Sequence, residues 1–335
     1  MLRTVFLFLF LSLYLYGDPP VPIGMPPVVW PKDNPYCAEK AELGRLLFFD
    51  KRLSANGTIA CASCHDPAKA FTDSTPLAVG IEDKKGTRHA PSIINSAYNG
   101  LQFWDGRAST LEDQAEGPIA NPNEMASELD PEEAHKVCVD KLRKIPGYRT
   151  LFKKVFGCED FTIEQVAMAI ATFERTILSG DSPYDRYIAG DHYALSPSQV
   201  QGMNLFFGKA NCSVCHKPPN FTDNDFSNIG IGMRAKEPDL GRYYITGIEK
   251  DKGAFKVPSL REVSRTGPYM HNGGFNSLAL VIYYYNIGGA KNPWLDSRMK
   301  PLNLNENEQK EIVDFLYALS GEGWQDVRAP QKFPE

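Results

Sequence analysis

Two short stretches carry the side chains best suited to chemistry. Residues 61–65 read Cys61-Ala62-Ser63-Cys64-His65, and residues 212–216 read Cys212-Ser213-Val214-Cys215-His216. A pair of thiols beside an imidazole has three uses: a disulfide switch, half of a zinc site, or the attachment of a haem. A structural zinc site needs four nitrogen or sulfur ligands, and in an exported chain the two thiols would more readily be lost to a disulfide. Cys-x-x-Cys-His is the attachment signature of c-type haem, and its occurrence twice in one chain favours that chemistry. Cysteines three apart on a helical turn face the same side, so both thiols can add to the two vinyl groups of one porphyrin. The adjacent histidine then falls under the iron as axial ligand. Cys61, Cys64, Cys212 and Cys215 are thus the expected attachment points of two haem c groups, with His65 and His216 on their irons.

The flanks of the motifs repeat as well. Leu47-Phe48-Phe49-Asp50-Lys51 precedes the first and Leu205-Phe206-Phe207-Gly208-Lys209 the second, while Phe71-Thr72-Asp73 and Phe221-Thr222-Asp223 follow them. The chain therefore holds two copies of one unit: helix, haem-binding turn, loop.

The spacing of apolar residues predicts the helices that must hold these turns. One runs over residues 38–49, with Leu43, Leu46 and Leu47 inward. A second runs from Thr162 to Leu178, opened by a Thr162/Gln165 capping box, carrying Val166, Ile170, Phe173 and Ile177 on one face and stopped at Gly180. Ser196 opens a third that Gly208 closes, and Ser277–Asn286 and Glu308–Ser320 complete the set. Alternating strand patterns are absent. The long Gly/Pro/Asn-rich stretches 72–105 and 217–268 read as loops wrapped around a cofactor.

At 335 residues, 42% hydrophobic and with 25 prolines, the chain suits two medium cores. Its net charge of -5 gives no nucleic-acid signature. Arg3 precedes an apolar run from Thr4 to Tyr16, short of the ~20 residues that span a bilayer. The segment 1–17 reads as a secretory signal, with an uncleaved anchor as the alternative; either way the folded part is exported. Residues 18–36 form a Pro-rich arm, and the boundary between units falls near Gly190–Ser196, giving domains 37–192 and 193–335. The last segment is expected to pack back on the first domain, and no integral membrane domain remains after signal removal. A homodimer is among the assemblies this reading allows.

Three further side chains bear on peroxide chemistry. Trp104 lies in Gln102-Phe103-Trp104-Asp105-Gly106-Arg107-Ala108, and Gln114 and Glu124 follow, the latter in Asn121-Pro122-Asn123-Glu124-Met125. A glutamate at the open face of a haem can carry a proton between the two oxygens of bound peroxide. On composition alone, Trp104 reads equally as a core aromatic and Glu124 as a solvated loop charge.

With these segments, and with Phe255-Lys256-Val257-Pro258-Ser259-Leu260-Arg261 and Thr266-Gly267-Pro268-Tyr269-Met270-His271-Asn272-Gly273, the chain resembles the bacterial di-haem cytochrome c peroxidase family. The likeness covers nearly everything after the leader. It implies a mostly α fold, two cytochrome-c-like haem domains with long loops and little or no β-sheet, with a calcium ion between them. It implies that His65 serves the peroxide-reactive haem and His216 the electron-transfer haem. Trp104 becomes the bridge between them, and Gln114 and Glu124 the distal-pocket residues. Thr266 and Pro268 match positions whose carbonyls face the calcium; the third aligned position is His89, where asparagine is expected.

Two departures from the family pattern matter. Typical members carry a Gly-His after the first motif whose histidine closes the sixth position of the peroxidatic iron; this chain reads Val79-Gly80-Ile81-Glu82. Isoleucine cannot ligate iron, so an open or water-bound site is expected, with His89 the nearby substitute. In the second unit, the methionine that typically serves the other iron is replaced by Tyr285, as in the MauG-like, tyrosine-ligand branch. A phenolate favours ferric and higher-valent iron where a thioether favours ferrous. The rival readings are three tyrosines packing a helix, or Met270, Met233 or Met299 as ligand. Of the remaining cysteines, Cys138 and Cys158 are placed to bridge and Cys37 is unassigned.

The function expected is an exported, periplasmic di-haem peroxidase that reduces hydrogen peroxide with electrons from a cytochrome c or similar small redox protein. The alternatives are a MauG-like oxidase acting on residues of a partner protein, and a plain di-haem electron carrier.

Overall fold

The computed structural model describes residues 17–335, so the expected secretory signal, apart from Gly17, lies outside the described residues. The fold is mostly helical, with one two-residue antiparallel pair, β1 (Phe226–Ser227) on β2 (Phe255–Lys256).

Each half is built on one helix crossing. In the first, α1 (Ala38–Phe49) leads to the single turn α2 (Cys61–Cys64), followed by α3 (Leu111–Ala120), α4 (Pro131–Arg143), α5 (Pro146–Phe156) and α6 (Ile163–Glu174). After the short α7 (Pro183–Ile188), the second half contains α8 (Pro197–Phe207), α9 (Tyr243–Thr246), α10 (Leu278–Asn286) and α11 (Glu306–Tyr317). Helix α1 crosses α6 as α8 crosses α11. A glycine sits at each crossing: a Cβ on Gly44 would overlap the Ala169 carbonyl, and one on Gly202 the Glu311 carbonyl. Close approach packs matched aromatic rings, Phe48 on Phe173 at 5.3 Å and Phe206 on Phe315 at 5.2 Å. Phe71 and Phe221 extend these clusters, at 6.2 Å from Phe48 and 6.0 Å from Phe206.

The two halves exchange their ends. The chain after α6 meets the chain after α11 in an antiparallel bridge, Gly180 N–H donating to Glu322 O at 3.1 Å and Glu322 N–H to Gly180 O at 2.7 Å. From there Tyr184 enters the second core, 5.1 Å from Phe221. Trp324 enters the first, 6.1 Å from Phe71. Asn95 and Glu262, both left-handed at φ 61° and 60°, flank the crossing. Asn95 Oδ1 accepts the Ser179 N–H, while Glu262 Oε1 accepts from Gly321 N and Ser179 Oγ. The Pro-rich arm lies over this seam, with Asp181 N–H donating to Ile23 O at 2.7 Å and Tyr98 Oη to Pro26 O at 2.8 Å. At the far end, Gly147 N–H donates to the Glu335 carbonyl at 2.8 Å.

Several helices depart from the spacing-based expectation. Helix α3 carries Gly117 and Pro118 within it and α4 only a narrow apolar stripe of Ala134, Cys138, Val139 and Leu142, so neither reads strongly as a helix; α5 and α7 open on Pro146 and Pro183, tolerated at a first helical turn. Helix α6 keeps the Thr162/Gln165 capping box but stops at Glu174, leaving buried Ile177 in the irregular lead to the seam. Helix α11 is displaced toward the N-terminus relative to 308–320 because Asn305, hydrogen-bonded to the Glu308 N–H, caps it there.

Because each crossing has no room for a Cβ, Gly44→Ala and Gly202→Ala are each expected to cost about 1–3 kcal/mol by forcing the helices apart. Denaturant unfolding of the two variants measures this, and unchanged midpoints would contradict it.

Candidate functional site

Both motifs fold as the thiol spacing requires. In the first, α2 is one helical turn closed by the His65 N–H on the Cys61 carbonyl at 3.0 Å; in the second, residues 212–214 form a 3-10 turn with the His216 N–H on the Cys212 carbonyl at 2.9 Å. Each imidazole is then held by a backbone carbonyl, His65 Nδ1 lying 3.1 Å from Phe71 O and His216 Nδ1 3.0 Å from Phe221 O. These two phenylalanines have φ of 59° and 53°, a region that bulky residues rarely occupy. With Nδ1–H donating to a carbonyl, Nε2 keeps its lone pair for a metal, the arrangement usual around ligating histidines. Burial lowers the proton affinity of both rings, which favours the neutral form a metal requires.

The thiols argue against a redox switch, which relies on a thiolate. Burial pushes the Cys64 and Cys212 thiols up to about 12 and raises those of Cys61 and Cys215 as well. Among the described residues, no group of three or more His, Cys, Asp or Glu side chains is placed to hold a metal ion, so neither motif completes a protein-ligated zinc site. Two paired thiols on one turn beside an oriented imidazole fit a covalently held haem.

In the first unit, Glu124 stands in a tight turn after α3, where Asn121 Nδ2 donates to its Oε1 at 2.6 Å. Burial raises its proton affinity; the positive charge of Arg107 and the Asn121 hydrogen bond oppose this. The thiol of Cys64 feels the Glu124 charge, which puts the carboxyl on the side of the first motif. The segment 79–82 closes against this turn: Gly80 has no room for a Cβ beside the Glu124 backbone, Ile81 N–H donates to Glu124 O at 2.9 Å, and the Ile81 side chain is fully buried. Gln114 lies on α3, which carries Gly117 against the Phe103 ring.

Trp104 sits where the two halves meet. Its indole N–H donates to His89 O at 2.9 Å, and its own carbonyl accepts the Lys256 N–H at 2.8 Å. The His89 N–H in turn donates to His271 O at 2.8 Å. The His89 ring is held within its loop, Nδ1 at 2.7 Å from Thr75 O and Nε2 at 3.4 Å from Thr72 Oγ1, whose hydroxyl also donates to Ala90 O at 2.8 Å. Thr266 and Pro268 lie in the loop leading to His271.

The three tyrosines of α10 have three fates. Tyr283 is exposed. Tyr284 Oη donates to Ile229 O at 2.8 Å and accepts the Ala290 N–H at 2.9 Å. Tyr285 faces the second motif: burial raises the proton affinity of its hydroxyl, and Cys212 and Cys215 are the next contributors. Of the methionines weighed against it, Met233 packs beside Gly253 and Met299 beside Gly289, and Met270 occupies a left-handed turn at φ 75°.

The Cys138–Cys158 bridge is absent, and both cysteines, like Cys37, carry free thiols. Cys158 lies 3.5 Å from the Gln165 amide, and Cys138 is buried in the first core. Residues missed by sequence reading are Phe71 and Phe221, whose carbonyls accept from the motif histidines, and Asn121 and Lys256. The repeated Phe-Thr-Asp triplets held a signal for the first two, since a turn that returns to the histidine must recur with it.

A family model described as di-haem cytochrome c peroxidase matches residues 38–193. The chain is 40% identical over 293 residues to a methylamine utilization protein MauG of Methylorubrum extorquens, covering 87% of this chain and 81% of that protein. It is 39% identical over 293 residues to a cytochrome c551 peroxidase of Nitrosomonas europaea, covering 86% and 82%. The crystal structure of a MauG-like protein associated with microbial copper homeostasis superposes with a TM-score of 0.84 at 32% identity, covering 92% of this chain and 97% of that one. Relatedness at this level across most of both chains, on a fold that duplicates the Cys-x-x-Cys-His turn, makes the protein a member of the di-haem cytochrome c peroxidase family.

Proposed function

We propose that this protein is an exported di-haem peroxidase, reducing hydrogen peroxide to water with electrons from a cytochrome c or similar small redox protein. The observation that carries the reading is Glu124, a half-buried carboxyl with raised proton affinity, tethered by Asn121 on the side of the first motif. Near it, the segment that would close the site offers buried Ile81, a side chain without a ligating atom.

Cys61 and Cys64 would hold one haem and Cys212 and Cys215 the other, with His65 and His216 as axial ligands oriented through Phe71 and Phe221. When bound, the haems would supply the redox chemistry for cleaving the O–O bond of peroxide. Glu124 takes the proton from one peroxide oxygen and returns it to the other, so that the departing oxygen leaves as water. Gln114 helps hold the peroxide in place. Trp104, bonded to His89 on one side and Lys256 on the other, spans the two domains, 37–192 and 193–335. The carbonyls of Thr266 and Pro268 would face a calcium ion on this seam. The first residues, 1–17, would direct export to the periplasm; among the described residues no helix is long and apolar enough to cross a membrane.

A second reading draws on Tyr285. Its position beside Cys212 and Cys215 supports a tyrosine ligand to the second iron, which would stabilise oxidised states of that haem and suit the oxidation of a partner protein's residues. A six-coordinate electron carrier is the weaker reading, since it needs a sixth ligand where the 79–82 segment offers buried Ile81.

Glu124→Gln is expected to slow peroxide turnover by about 10²–10⁴-fold, the usual worth of a positioned acid–base group, with haem content intact; wild-type turnover would remove Glu124 from its role. Tyr285→Phe is expected to alter the absorption and magnetic spectra of one haem only, and unaltered spectra would return the ligand position to a methionine. The double change Cys212→Ser, Cys215→Ser is expected to halve the covalently bound haem measured on denatured protein, whereas full retention would contradict the attachment.

A further inference from the structure

The loop that carries Trp104 is closed by a bridge between Gln102 and Ala108, and two consecutive residues of another segment grip it. The His89 carbonyl accepts the Trp104 indole N–H at 2.9 Å, and Arg88 Nη1 donates to Asp105 Oδ2 at 2.6 Å. The other edge of the same guanidinium reaches the second half, where Nε and Nη2 donate to the two carboxylate oxygens of Asp239 at 2.7 and 3.0 Å. Asp239 Oδ1 also accepts the Gly241 N–H at 2.9 Å. The next residue, Arg242, returns to the first half and donates to the carbonyls of Asp105 and Gly106 at 2.9 Å each. Arg88, Asp239, Gly241, Arg242 and Asp105 thus form a closed circuit that crosses the seam twice beside Trp104. The Arg88 guanidinium also lies 5.3 Å from the centre of the Phe255 ring, next to Lys256, whose N–H holds the Trp104 carbonyl. The Arg88 side chain is 14% exposed and that of Asp105 7%.

Resting on the reading of Trp104 as the bridge, we infer that Arg88 is a positioning residue for electron passage between the two halves, its one guanidinium setting the Trp104 loop against the second domain. The partners of the two carboxylates make the case. Asp105 has a second cation, Arg107, which donates to both of its oxygens at 3.1 Å, and Asp239 has the Gly241 amide. Neither carboxylate depends on Arg88 alone for a partner. What Arg88 adds is a link between a carboxylate of one half and a carboxylate of the other, with the planar, multi-donor geometry that such a link requires. The His89 bond fixes the indole only to its own half. An electron passing between the halves through Trp104 makes and breaks no bond, so its rate is set by where the indole stands. A supporting residue that fixes this placement acts without touching the reacting groups.

The experiment is flash photolysis of the half-reduced, two-haem protein under carbon monoxide, which follows the redistribution of one electron between the haems. Hydrogen exchange of the 102–108 segment is the second readout. Wild type is compared with Arg88→Gln, Asp239→Asn, Asn224→Ala and Trp104→Phe, each checked for haem content and resting spectrum. Asp239→Asn keeps Arg88 on Asp105 and removes only the far anchor, so it carries the test should Arg88→Gln fail to fold. Asn224 meets the first half at Tyr98 O and Gly100 N, outside the 102–108 loop, and controls for general loosening of the seam. The expected result is electron exchange slowed by about 10²-fold in Arg88→Gln, the cost of misplacing an aligned group by about 1 Å. Asp239→Asn is slowed in the same direction, and the 102–108 amides exchange faster in both. Exchange at the wild-type rate in these two variants, or equal slowing in Asn224→Ala, overturns the inference. A wild-type rate in Trp104→Phe instead overturns the bridging role of Trp104 itself.

Discussion

Everything else in this structure depends on how one ring nitrogen of each motif histidine is occupied. The Phe71 and Phe221 carbonyls take Nδ1 of His65 and His216 at 3.1 and 3.0 Å, and both are aimed by a phenylalanine in a backbone region such residues seldom adopt. A strained residue persists only where its surroundings over-determine it. Here the surroundings are the aromatic clusters, which hold the two rings with no measurable exposure. The core thus pins the carbonyl, the carbonyl pins the imidazole, and the remaining nitrogen is left for an axial bond.

The duplication is close at the level of this support and broken at the level of chemistry. Both halves repeat the glycine crossing, the phenylalanine cluster and the histidine clamp. They differ in what faces the motifs: Glu124 and buried Ile81 in the first, Tyr285 in the second. On the proposed function, such a division would let one scaffold hold one site for proton transfer and another for charge storage. The exchange of Tyr184 and Trp324 across the Gly180–Glu322 bridge ties the halves together, so Trp104 is held at a seam with limited freedom to open.

Much of this was legible in the sequence because it is local. The Cys-x-x-Cys-His turn, the Thr162/Gln165 capping box, the α8 limits at Ser196 and Gly208 and the substitution of histidine by Ile81 depend on neighbours a few residues away. Helices α3 and α4 were not legible, because Gly117 and Pro118 interrupt one and charged residues dominate the other; their packing against α6 compensates for poor local signals. The exchanged ends and the Asn95 and Glu262 clamps join residues far apart in the chain, and no periodicity records them. His89 has a backbone role that no local pattern records: its carbonyl accepts the Trp104 indole N–H while its ring is held by Thr75.

If two oriented haems, one with an accessible face, share the oxidising power of peroxide, both must respond to it. The most direct measurement is stopped-flow absorbance of the mature, donor-free protein mixed with one equivalent of hydrogen peroxide. Rapid change in the bands of both haems is expected, persisting until a reduced cytochrome c is added. Spectra that stay at rest with peroxide in excess would contradict it.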